Sequence, residues 1–189
     1  MDNLKYFELH VTVLPQRILE FAAFCKELQA KPLYIQLDQG IHKNQPMLAA
    51  TTMLPDDMSA KAWAMDYGEL VAGHFPVSRV KLESRLTEGP NEYYEAHWKF
   101  AFPNGDCDMA LDIFVEDKPH LLRSYNLLDF RTHYLSQRIY GSSDPLAGSD
   151  LFNASGAAIK LSGLPLVKTH YERCVWDSNP ALDYGWEQT

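Results

Sequence analysis

Residues 6–13, "YFELHVTV", and residues 93–100, "YYEAHWKF", are one phrase written twice. Each reads aromatic, aromatic, Glu, apolar, His, apolar, polar, apolar, and the two histidines stand 87 positions apart (97 − 10). Apolar residues alternate with polar ones, which is the period of a strand with one face on a core and the other turned away from it. The polar face carries Glu8, His10 and Thr12 in the first copy and Glu95, His97 and Lys99 in the second.

The surrounding sequence repeats with it. "PVSRVKLE" (76–83) returns as "PLVKTHYE" (165–172) at an offset of 89 (165 − 76), matching Arg79 to Lys168, Lys81 to His170 and Glu83 to Glu172. Between these outer strands the first copy reads clearly. Ile18, Phe21, Ala22, Cys25 and Leu28 make a helical stripe. Strands follow at 31–38 and 47–54, joined by the turn 40–46. Asp56, Asp57 and Ser59 supply helix caps, and a second stripe runs through Trp63, Ala64, Tyr67, Leu70 and Val71 to Gly73. The order is βαββαβ, the ferredoxin-like plan. The second copy predicts a strand at 132–141 and a helix near 149–162, while "ALDIFVED" (110–117) reads as a strand.

The expected fold is therefore α+β, a tandem duplication of a ferredoxin-like module. Its two antiparallel sheets would face a shared cleft or barrel. The halves are 5–86 and 92–178, joined by a linker with Gly89-Pro90. A tail, 179–189, would pack back on the body through Leu182, Tyr184 and Trp186, the whole acting as one folding unit.

Composition bounds the partners. A chain of 189 residues, 46% hydrophobic and 22% charged, builds a core without disulfides. Net charge −8 and the absence of a dense Lys/Arg run argue against duplex nucleic acid. Three scattered cysteines, the lack of a basic-then-apolar leader and the lack of a long apolar run predict a cytoplasmic chain with no membrane partner.

The polar faces carry the candidate chemistry. Paired first and last strands would gather His10, His97, Glu8 and Glu95 with Thr12, Lys99, Arg79, Lys81, Arg138, Lys168 and His170. Imidazole titrates near neutrality, so His10 and His97 are the expected acid–base pair, with Glu8 and Glu95 orienting them. The cations would neutralise a small phosphate-bearing or other anionic substrate without a cofactor, the alternative outside catalysis being a ligand-binding or protein-interaction module. Lys99 beside His97, where His10 has Thr12, makes His97 the expected base and His10 the protonated partner. His42, His74, His120 and His133 read as surface residues, and "GSSDPLAGSD" (141–150) as a flexible connection.

"HVTV" at 10–13 resembles the His-x-Thr signature of the 2H phosphoesterase superfamily, whose two lobes each carry one motif. The resemblance implies a phosphoester hydrolase with one imidazole as base, the other as acid, and Thr12 on phosphate. In the second motif, "HWKF" (97–100), Lys99 stands where that family has Thr or Ser. "EAHWK" (95–99) is similar to the Glu-x-Glu-x-Lys opening of CYTH triphosphate-tunnel proteins, with His97 at the second Glu. One His and one Glu per module also resembles the vicinal-oxygen-chelate superfamily. That likeness implies the alternative of a divalent metal on His10, Glu83, His97 and Glu172, a donor set suited to zinc, iron, manganese or nickel.

Overall fold

The computed structural model describes residues 4–86, 89–102, 107–141 and 145–185. The chain runs β1 (Lys5–Val13), α1 (Ile18–Glu27), β2 (Lys31–Leu37), β3 (Asn44–Leu54), α2 (Asp57–Ala72) and β4 (Val77–Arg85). It then repeats that order as β5 (Tyr93–Ala101), α3 (Cys107–Val115), β6 (Leu122–Asn126), β7 (Asp129–Tyr140), α4 (Pro145–Leu161) and β8 (Leu166–Asp177). A 3₁₀ turn, Pro180–Asp183, follows.

The expectation of two ferredoxin-like sheets facing one another is overturned. All eight strands hydrogen-bond into one closed antiparallel barrel in the order β1-β3-β2-β6-β7-β5-β8-β4. Each half keeps the same internal order, β4-β1-β3-β2 and β8-β5-β7-β6. Two separate sheets would each leave two edges with unpaired N–H and C=O groups. Here β2 pairs with β6 and β4 with β8, so no edge remains in the ring.

The apolar residues lie outside the ring. Phe7, Leu9, Val11 and Val13 of β1 pack with Val80 and Leu82 against Phe21, Cys25, Ala60, Ala64 and Val71 of α1 and α2. Tyr94, Ala96, Trp98 and Phe100 of β5 form the matching core with Leu111 of α3 and Phe152 and Ile159 of α4. Asp56 caps α2, its Oδ1 accepting the Ser59 N–H at 2.7 Å. Gly68 lets α2 approach the barrel, since a Cβ there would meet Val80 Cγ2 at 2.8 Å.

Several boundaries are corrected. "ALDIFVED" is not a strand: residues through Val115 belong to α3, with Leu111 buried and Phe114 and Val115 packed beside it at helical spacing. Helix α4 starts at Pro145, since proline suits a first helical position. Strand β3 takes Asn44–Pro46 from the expected turn, and β8 runs on to Asp177. Leu182 is buried but Tyr184 is exposed. Trp186, residues 103–106 and residues 142–144 of the expected connection lie outside the described residues. His133 is a β7 residue buried beside the Phe102 and Tyr125 rings, not a surface one.

Candidate functional site

Because β1, β4, β5 and β8 turn their apolar sets to the helices, their polar sets face the barrel interior. That interior holds a cavity of about 370 Å³. Glu8, His10, Thr12, Arg79, Lys81, Glu95, His97, Lys99, Arg138, Lys168, His170 and Glu172 all line it, with Glu83 fully buried beside His10 and Lys81. The register explains the gathering. His10 lies opposite Lys81 and Thr12 opposite Arg79 on β1 and β4, while His97 lies opposite His170 and Lys99 opposite Lys168 on β5 and β8.

A buried run of alternating charge crosses the interior. His10 Nε2 lies 3.2 Å from Glu8 Oε1 and its Nδ1 lies 3.1 Å from Glu83 Oε2. Lys81 Nζ joins Glu83 at 2.8 Å to Glu95 at 3.0 Å. Arg138 Nε meets Glu95 Oε1 at 3.0 Å, and its NH1 meets Asp183 Oδ2 at 2.8 Å. Arg79 donates to the same Asp183 oxygen at 2.6 Å and to Asp177 at 2.7 and 3.1 Å. Tyr93 and Gln45 complete the end, donating to Asp177 and Asp183.

This pairing sets the charge states. Burial disfavours the His10 imidazolium, but hydrogen bonds and charge from Glu8 and Glu83 outweigh it and raise its pKa to about 9. The proton on His10 is held by this pair of carboxylates and not by the lack of a neighbouring lysine. Burial also opposes the Glu95 anion, yet Arg138 and Lys81 bring its pKa down to about 2. Glu83 and Asp183 are held low in the same way by their cations.

The cations that the sequence offers to a phosphate differ in how far carboxylates already neutralise them. Arg79, Lys81 and Arg138 do not present bare charge to a phosphate, because each contacts two carboxylates. Of the four residues in the alternative metal set, Glu83 lies 3.1 Å from His10 and Glu172 lies 3.6 Å from His97. Among the described residues, Glu83, Glu95 and His97 bring one ligand atom each within 4.8 Å of one another. The Lys81 ammonium sits on both of those carboxylates and supplies the cation there.

The accessible chemistry lies elsewhere in the cavity. His97 keeps 26% of its side chain exposed, with Nδ1 2.7 Å from Ser136 Oγ and Nε2 3.6 Å from both Glu95 and Glu172. His170, opposite it, lies 3.6 Å from Glu172 and is 40% exposed. Leu33, Ile35, Leu37 and Met47 of β2 and β3 form an apolar wall. Sequence reasoning missed that wall, together with Asp177, Asp183, Tyr93 and Gln45. A surplus of lysine and arginine over glutamate on the inner strand faces was the available signal for the missing carboxylates.

No helix among the described residues is long and apolar enough to cross a membrane. No family model matches the chain, and no curated protein matches it. Among solved structures it is similar to that of a "putative monooxygenase" from Fusobacterium nucleatum. Identity is 8%, all of both chains is covered, and the TM-score is 0.37. A likeness that slight transfers neither fold nor activity, so the chemistry of this barrel rests on its own side chains.

Proposed function

We propose that the chain is an enzyme carrying out acid–base chemistry on a small anionic molecule inside the barrel, with His97 as the proton acceptor. The contrast between two imidazoles at equivalent strand positions carries this reading. His10 has both ring nitrogens on carboxylates and holds its charge, so it acts as a positioning residue for Glu8 and Glu83. His97 has one nitrogen on a hydroxyl and the other beyond hydrogen-bond reach of Glu95 and Glu172.

With Nδ1–H donating to Ser136, Nε2 presents its lone pair to a bound molecule. Glu95 and Glu172 stand 3.6 Å from the same nitrogen. Lysines on the same lining supply attraction for a negative substrate. A reducing, cytoplasmic setting suits the buried free thiols of Cys25 and Cys174.

The test is hydrogen exchange in deuterated water across small carbonyl compounds bearing a carboxylate, phosphate or sulfonate, followed by proton NMR. Loss of a C–H signal with the native protein, absent with a folded His97→Gln variant, is the expected result. Exchange that survives His97→Gln, or none across the panel, overturns the reading.

A further inference from the structure

The two ends of the barrel are built from equivalent positions and finished differently. Thr12 and Arg79 face one another on β1 and β4, and Lys99 and Lys168 occupy the corresponding places on β5 and β8. Following the antiparallel strand directions round the ring sets Arg79 toward one end and Lys99 and Lys168 toward the other, where β2 begins with Lys31. At the first end the chain supplies its own carboxylate. Asp183, from the turn after β8, enters the interior and accepts from Arg79, Arg138 and Gln45.

Among the described residues, no segment outside the strands brings a carboxylate onto the cations of the second end. After β4 the chain passes into β5, and the cations there stand on their own strands. Like charges directly opposite one another destabilise a strand pair, yet Lys99 and Lys168 are cross-strand partners. Both line the cavity, as does Lys31; none of the three makes a close ion pair among the described residues, the Asp129 carboxylate near Lys99 acting only through its charge. An arrangement that costs stability when empty is what an anion would relieve.

We infer that the Lys99–Lys168 end of the cavity binds the carboxylate of a molecule with an apolar body, the ligand's carboxylate standing in for the Asp183 of the opposite end. The apolar body lies along Leu33, Ile35 and Met47. A cavity of about 370 Å³ takes a molecule the size of a substituted phenyl or medium-chain acid. Rim lysines act as point charges and do not impose the forked geometry that an arginine would. The inference rests on the acid–base reading for the identity of the bound molecule as substrate, and specifies its class.

The experiment is calorimetric titration with four probes: 4-phenylbutanoate, 4-phenylbutanamide, 4-phenylbutyl phosphate and acetate. The acid should bind at least about tenfold more tightly than the amide, which lacks the charge. Acetate, which lacks the body, should bind at least about tenfold more weakly than the acid. Lys99→Gln and Lys168→Gln should each weaken the acid by about tenfold, leave the amide unchanged, and melt no lower than the native protein because a repulsion is removed. Lys168→Arg should restore acid binding. Equal binding of acid and amide, no binding by any probe, tighter binding of the phosphate than of the acid, or indifference of the acid to both lysine variants overturns the inference. The titration contains no turnover step, so it fails or succeeds separately from the exchange assay on His97.

Discussion

Replacing His10 by glutamine should remove a stabilisation that is present at pH 6 and nearly gone at pH 9. The folded protein raises the imidazole from its ordinary 6.5 to about 9, because Glu8 and Glu83 at 3.2 and 3.1 Å outweigh its burial. Lys81, opposite on β4, is itself neutralised by Glu83 and Glu95. A group whose folded pKa is raised binds its proton more tightly when native, so its contribution is complete below pH 6.5 and disappears as pH climbs through 9. A shift of some 2.5 units corresponds to about 3 kcal/mol. For a urea slope near 2 kcal/mol per molar, that is roughly 1.5 M in midpoint. Urea unfolding of native and His10→Gln proteins at unit steps from pH 6 to 9 measures it. The difference between the two midpoints should shrink by about 1.5 M over that range. Taking the difference cancels Cys25, Cys174 and Tyr6, whose raised pKa values also lower stability in alkali but are common to both proteins. A midpoint difference that stays constant from pH 6 to 9 would refute the claim that His10 is a charged link between carboxylates.

Three further outcomes follow from the same interior and its packing. Lys81→Met leaves Glu83 and Glu95 without their shared cation and should cost about 3–5 kcal/mol. Zinc or manganese should recover part of that loss in the variant while leaving the native melting temperature unmoved, since ligand atoms of Glu83, Glu95 and His97 already lie within 4.8 Å. Asp183→Ala removes the acceptor shared by Arg79 and Arg138 and should cost roughly 3 kcal/mol, lowering the melting temperature by about 6–12 °C in a chain of this size. Gly68→Ala drives a methyl group into Val80 and should cost about 1–3 kcal/mol, read by denaturant midpoint, with the cavity and its binding unaffected.

What the sequence disclosed and what it hid divide along a physical line. The alternation in "YFELHVTV" and "YYEAHWKF" is a side-chain signal, and it marked both the strands and the face on which Glu8, His10, Glu95 and His97 gather. Closure of the ring is a backbone event: β2 joins β6 and β4 joins β8 through main-chain hydrogen bonds that no residue type announces. The expected pair of open sheets failed for that reason. Residues 110–115 hid a helix because Ile113, Phe114 and Val115 favour strands by type, while the burial of Leu111 against the β5 face decided the matter. Asp183 sits in a turn opened by Pro180 that reads as surface, and only the closed ring brings it to Arg79 and Arg138.

The two joins between the halves are unequal, and this gives the barrel a place to open. At the β4–β8 join five pairs of residues are in register, and Arg173, wholly buried in β8, is held by Asp57 at 2.9 Å, by Ser84 and by the Pro90 carbonyl. The β2–β6 join has three pairs, Ile35 with Asn126, Gln36 with Tyr125 and Leu37 with Ser124, backed by a small apolar group of Leu37, Leu122 and Ile35. Local unfolding begins where the fewest buried contacts must be given up. Breathing of the wall therefore belongs to β2 and β6, whose amides should exchange ahead of those of β4 and β8. Ile35 and Leu37 lie on both that join and the cavity lining, so the strand that would yield first is also part of the cavity wall, and its opening would bare the interior to solvent there.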